Sequence, residues 1–167
     1  MLTRAFAVVV TLLLAACASY DGRGLRPHES RIDEVLALMG PPALGWTDAD
    51  GGRQLAYPRG PAGFHTFMVR IAPDGRLLSI ENVLDLAHLA QVTPGMSKEQ
   101  VLRTLGPPDE SLSVYFPARD ELAWDWRFID GYPSPMRMFV LFDATSGTVR
   151  STMIQPEYST FADSPTP

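Results

Sequence analysis

The chain has 167 residues, of which 46% are hydrophobic and 20% charged, with a formal net charge of −5. Such a composition belongs to a globular protein and excludes general disorder, and the length suits one ordinary domain or two very small ones. The acidic balance, a single lysine (Lys98) and the lack of any basic cluster repel phosphate backbones and exclude nucleic acid as a partner.

The first element is a targeting segment. Arg4 supplies a positive start, Ala5 to Ala16 form a twelve-residue apolar run broken only by Thr11, and Ala15 and Ala16 place small side chains before Cys17. A helix of that length reaches about 18 Å against a hydrocarbon core of roughly 30 Å, so residues 1–16 read as a signal peptide and not as a span. Leu14-Ala15-Ala16-Cys17 resembles the bacterial lipobox, in which the thiol takes a diacylglyceryl group and cleavage exposes the cysteine for N-acylation. Cys17 is the one cysteine of the chain, so no disulfide competes for it and lipid attachment is its expected use. Losing Arg4 leaves 13 basic against 19 acidic side chains. Membrane binding must then come from acyl chains, each buried methylene contributing roughly 0.8 kcal/mol. Ala18 and Ser19 follow the cysteine. By resemblance to lipoprotein sorting rules, the absence of Asp at the second position implies the periplasmic face of the outer membrane. Residues 17–29, containing Gly22, Gly24 and Pro27, are expected to form a flexible tether.

The body repeats itself. Val35-Leu36-Ala37-Leu38-Met39-Gly40-Pro41-Pro42 recurs sixty-six residues later as Val101-Leu102-Arg103-Thr104-Leu105-Gly106-Pro107-Pro108. Gln54–Tyr57 answers to Glu121–Trp124, Phe67–Ile71 to Phe139–Asp143, and Asp74–Leu77 to Ser146–Val149. Matches in one order indicate a duplication. In the first copy Ser30 is expected to cap a helix on which Ile32, Val35, Leu36 and Met39 share a face, with Asp33 and Glu34 favoured in its first turn. Three strands follow, over Gln54–Tyr57, Phe64–Ala72 and Arg76–Val83, with Pro73-Asp74-Gly75 as a hairpin turn. Leu84–Ala90 is a short helix candidate without a counterpart before Ser30, so the first unit reads as truncated.

In the second copy Ser97 and Gln100 form a capping box, and Val101, Leu102 and Leu105 share a face. Gly106 can end the helix in a left-handed conformation, and Pro107 cannot continue it. Leu122, Trp124, Trp126 and Phe128 alternate with Ala123, Asp125 and Arg127, as in a strand with one buried face. Met136–Phe142 is nearly continuous in apolar residues and reads as a central strand covered on both sides. A turn at Ala144–Gly147 leads to a last strand over Thr148–Gln155. The expected fold is α+β: two tandem units over residues 30–83 and 84–156, each with one or two short helices on a three- to four-stranded antiparallel sheet, then a disordered tail over 157–167.

Residues suited to catalysis are scattered. His28, His65 and His88 lack metal-ligand spacing. Asp48-Ala49-Asp50-Gly51 opens like a calcium loop, but Gly52 and Arg59 stand where ligands are required, so a turn is expected. Asp109-Glu110 and Asp120-Glu121 are neighbours, and neighbours on a strand point to opposite faces. No nucleophile elbow or phosphate loop occurs. The reading is of a protein that is not an enzyme, with no cofactor and no metal. Tyr115, Phe116 and Tyr132, near proline and glycine in expected hairpin loops, are the candidates for a partner surface.

Val92-Thr93-Pro94-Gly95-Met96-Ser97-Lys98-Glu99-Gln100-Val101, followed by Leu105-Gly106-Pro107-Pro108, resembles the signature of the BamE (SmpA/OmlA) lipoproteins. The resemblance implies helices against an antiparallel sheet, related to the tandem architecture of the β-lactamase-inhibitor protein. It also implies an outer-membrane lipoprotein that works in β-barrel assembly, touching envelope proteins and the membrane. Gly95, Ser97 and Gly106 carry over as structural residues. The Tyr-Arg-Pro stretch that family members place after the acylated cysteine has no clear match in Tyr20–Pro27. Two other readings stay open: a periplasmic inhibitor of a hydrolase, by analogy with the tandem inhibitor fold, and a module binding lipid or a small ligand between its sheets.

Overall fold

Two antiparallel sheets of four strands each make up the computed structural model, which describes residues 21–58, 63–131 and 134–157. In chain order they are α1 (Ile32–Met39), β1 (Leu44–Thr47), β2 (Arg53–Pro58), β3 (Thr66–Ile71), β4 (Leu77–Asn82), α2 (Leu86–Leu89), α3 (Lys98–Leu105), β5 (Val114–Phe116), β6 (Glu121–Phe128), β7 (Met136–Asp143) and β8 (Val149–Pro156). Both sheets are meanders, β1-β2-β3-β4 and β5-β6-β7-β8. The α+β class and the two like-built units are as expected. Strands β1 and β5 are additions to the sequence reading. Four and three residues long, they are too short to display an alternation of their own.

The helices form for the reasons their sequences suggest, with one exception. Ser97 and Gln100 make a reciprocal capping box on α3: the Gln100 N–H donates to Ser97 Oγ at 3.2 Å and the Ser97 N–H to Gln100 Oε1 at 2.7 Å. Ser30 does not cap α1; the N-cap is Arg31, and no side chain bonds there. The Ser30 carbonyl accepts from Leu77 N–H and its hydroxyl from Arg26 N–H, so tertiary pairing has taken the residue from the helix. Both helices end at a glycine with positive φ, Gly40 at 80° and Gly106 at 74°.

Each helix places two residues into its own sheet. Val35 and Met39 of α1 pack with Leu55, Tyr57, Val69, Ile71 and Leu77. Val101 and Leu105 of α3 pack with Trp126, Phe128, Met138, Val140 and Phe142, joined by Leu89 of α2. Beyond that, α3 also touches the first sheet on its far side. Gln54 Nε2 donates to the Arg103 carbonyl at 2.5 Å, and the Arg103 guanidinium pairs with Asp48 at 2.7 Å and lies 5.4 Å from the Trp46 ring. The layers therefore run α1, first sheet, α2 with α3, second sheet.

Residues 21–29, expected within a flexible tether, are folded against the first unit. Leu25 joins the Val35–Met39 cluster and His28 N–H donates to Leu77 O at 2.7 Å. Gly22 and Gly24 take positive φ (71° and 97°), so the glycines turn the chain and bring Leu25 to the core.

Hydrogen-bond register corrects the alignment of the two units. Bridges Arg31–Arg76 and Ser97–Thr148 are equivalent, as are the pairs Ile71–Leu77 and Phe142–Val149. Arg53 pairs with Ile71 in one sheet and Leu122 with Phe142 in the other. Phe67, Val69 and Ile71 thus answer to Met138, Val140 and Phe142, one residue from the match made on letters, and Arg53–Tyr57 answers to Leu122–Trp126, two residues from it. β7 is apolar on both faces, so letters align equally well in a register that exchanges the faces.

Candidate interaction surface

Cys17 and Tyr132 lie outside the described residues. Tyr115 and Phe116 are both exposed on β5, and the structure does not bring them together: Tyr115 pairs with Leu122 and Phe116 with Glu121, so their side chains leave opposite faces. The Tyr115 hydroxyl donates to Asp120 Oδ1 at 3.3 Å. The Phe116 ring carries the Arg119 guanidinium 4.5 Å above it, and Arg119 pairs with Glu121 at 3.0 Å.

Phe116 is one wall of a groove of about 420 Å³ on the outer face of the second sheet, with Val114, Ala123, Phe139, Leu141 and Met153. Here the expectation for β7 is corrected. It is an interior strand, and its inner residues Met138, Val140 and Phe142 are 1%, 0% and 0% exposed. Its outer residues Phe139 and Leu141 are only half-buried. A continuous apolar run signalled two covered faces; the chain itself covers one. Beside the groove the carboxylate of fully buried Asp125 pairs with Arg137, whose guanidinium lies 5.0 Å from the Phe139 ring. Phe139, Leu141 and Met153 are the residues that sequence reasoning assigned elsewhere. The signal that could have found them is the absence of any polar residue on the outer face of β7 between Arg137 and Asp143.

Both flanks of this sheet are open. β5 is exposed throughout, and on β8 every residue after Val149 is exposed. At the β7–β8 turn, Asp143 receives the Ser146 N–H at 2.7 Å and the Arg150 guanidinium at 2.7 Å. These bonds, the Ser146 N–H foremost, lower its pKa from 3.8 to about 2. A carboxyl depressed in the folded state stabilises above its unfolded pKa and loses that contribution as pH falls through the folded one. Urea midpoints of the parent and of Asp143→Asn are therefore expected to differ at neutral pH and to converge between pH 4 and pH 2. A gap unchanged across that window contradicts the assignment.

Two other spaces lie between the units. One, about 200 Å³, is bounded by His65, Thr66, Pro107, Asp109, Trp126 and Arg127. The other, about 370 Å³, is bounded by Gln54, Met68, Arg70, Glu81, His88, Arg103 and Thr104, with Val83 and Gln91. Ionic and amide walls make the second unsuited to an acyl chain. Asp48–Gly52 is a turn, closed by Asp48 N–H to Gly52 O at 2.8 Å. His88 Nδ1 meets Asp85 at 2.8 Å and His65 stacks on Phe67. Among the described residues, no three or more His, Cys, Asp or Glu side chains are grouped to hold a metal, and no helix is long and apolar enough to cross a membrane.

Residues 81–118 match the family model of the outer membrane protein assembly factor BamE domain. The match runs from the end of β4 through α2, α3 and β5, and it contains the capping box and the Gly106-Pro107-Pro108 stop. The residues that carry the resemblance, Val92–Val101 and Leu105–Pro108, fall within this matched segment. No curated protein and no solved structure matches the chain.

Proposed function

We propose that this chain is a non-catalytic lipoprotein of the outer membrane, acylated at Cys17 and facing the periplasm, that works as a protein–protein contact module in outer-membrane protein assembly. The observation that carries the reading is the concentration of exposed apolar side chains at one end of the molecule. Among the described residues, Val114, Tyr115, Phe116, Met153 and Ile154, five of the eight exposed large hydrophobics, lie on β5 and β8. Val114, Phe116 and Met153 join Ala123, Phe139 and Leu141 across one groove, contiguous apolar surface of a kind that marks contact sites. Tyr115 and Ile154 stand at the two edges on the other face, and β5 falls inside the BamE-matching segment. Open strand edges add main-chain donors and acceptors that a partner can use. A family of assembly factors supports a role by touch and not by catalysis.

The test has two arms in intact cells. Palmitate labelling is expected to mark the parent and to be lost in Cys17→Ser. A photo-crosslinking side chain at Tyr115 or Ile154 is expected to capture outer-membrane assembly proteins. Label retained without Cys17 removes the anchor, and capture of a soluble hydrolase replaces assembly with inhibition.

A further inference from the structure

We infer that copies of this chain stack head to tail, with α1 of one copy lying on the outer face of the second sheet of the next, as α3 lies on the first sheet within the chain. The inference deepens the contact-surface reading and rests on it. The register correspondence carries it. Gln54, Met68, Arg70, Glu81 and Val83 are the first-sheet wall facing α2 and α3. The paired rows Gln54–Arg70–Ser79 and Met68–Glu81 answer to Ala123–Leu141–Ser151 and Phe139–Met153. Of those second-sheet positions, Ala123, Phe139, Leu141 and Met153 line the open groove, and Ser151 is exposed on β8. One surface is thus present twice, covered by a helix in the first unit and uncovered in the second.

The helices are related in the same way. Arg103, Thr104 and Gly106 of the covering helix correspond to Ala37, Leu38 and Gly40 of α1, sixty-six residues earlier. Ala37 is exposed. Val35 and Met39, which point the other way, are buried. Where helix and sheet are joined within the chain, the contact is polar: Arg103 and Thr104 share walls with Gln54, Arg70 and Glu81. At the two ends of the stack the equivalent central positions are apolar, Ala37 and Leu38 on the helix against Ala123, Leu141 and Met153 on the sheet. Asp33 and Glu34 are exposed on the helix, and Arg119, Glu121 and Gln155 line the groove beside the apolar positions. A foreign helix would account for the sheet alone, whereas a second copy accounts for both ends. Repeat proteins that stay monomeric carry polar outer faces on their terminal units, and here the centre of the second sheet's outer face is Ala123, Phe139, Leu141 and Met153.

Such a contact is heterologous, so it propagates until something caps it. One short helix makes a small interface, and attachment to a membrane raises its effective concentration. The experiment uses the full chain in bacterial membranes with Leu38→Cys and Leu141→Cys, positions equivalent to Thr104 and Arg70, and a short bismaleimide. The double variant is expected to give a ladder of multimers. Co-expressed single variants should give dimers only, and each single variant or the parent should give none, the parent reporting any free Cys17 thiol. Ala37→Arg, at an exposed position that leaves the fold intact by circular dichroism, is expected to abolish the ladder. A missing ladder overturns the inference, as does a single variant that dimerises with itself. Capture of a foreign protein at Leu141 also overturns it while leaving the contact-surface reading in place; silence at Leu141, Tyr115 and Ile154 together removes both.

Discussion

Gly106→Ala is expected to destabilise the fold by roughly 4 kcal/mol, because backbone strain of about 1–3 kcal/mol adds to overpacking of about 1–3 kcal/mol. Gly106 closes α3 at φ 74° and ψ −171°, a conformation that side chains with a Cβ seldom take. A Cβ there would stand 2.6 Å from Thr66 Cγ2 and 3.7 Å from Ala56 Cβ, both on the first sheet. Gly40 closes α1 with nearly the same angles, φ 80° and ψ −167°, and a Cβ there meets nothing within 4 Å. Gly40→Ala should therefore cost only the strain, about 1–3 kcal/mol. The difference between the variants in urea unfolding measures how tightly α3 is pressed between the units. Equal losses would mean that the two units do not touch at this point.

Phe142→Ala is expected to cost about 3–5 kcal/mol, the usual range for emptying a fully buried aromatic site. Phe142 is 0% exposed and meets Trp124 edge-on with ring centroids 4.7 Å apart. Phe139, three residues away on the same strand, faces outward into the groove, and Phe139→Ala should cost roughly 1 kcal/mol, in line with a partial loss of buried area. Tryptophan fluorescence during denaturant unfolding reads both. Comparable losses would show β7 to be covered on both faces within one chain.

Much of this architecture is local in origin. The capping box of Ser97 and Gln100, the glycine stops followed by proline, and the alternation of Leu122, Trp124, Trp126 and Phe128 involve partners within a few residues. So do the hairpin turns at Pro73-Asp74-Gly75 and Ala144–Gly147. Strands β1 and β5 carry no signal of their own, because three or four residues cannot display a period of two, and their pairing partners, Arg53–Ala56 and Glu121–Ala123, do the specifying. Ser30 has the letter of a helix cap, yet it accepts hydrogen bonds from Arg26 and Leu77. Gly22 and Gly24 have the letters of a flexible linker, yet Leu25 holds the segment down. In the candidate site, Phe116 was singled out for its residue type, although it lies on strand β5 and not in the hairpin loop expected. Phe139, Leu141 and Met153 were not, since an outward apolar residue on a strand carries the same letter as an inward one.

Spacing along the chain was enough for the two tandem units, their helices and most of their strands, because periodicity, caps and turn residues are local signals. Tertiary structure decided which face of each strand is covered, the true register between the units and the placement of α3 between two sheets. Burial depends on what a distant segment, or another molecule, brings up against a surface, and no spacing within the strand records that.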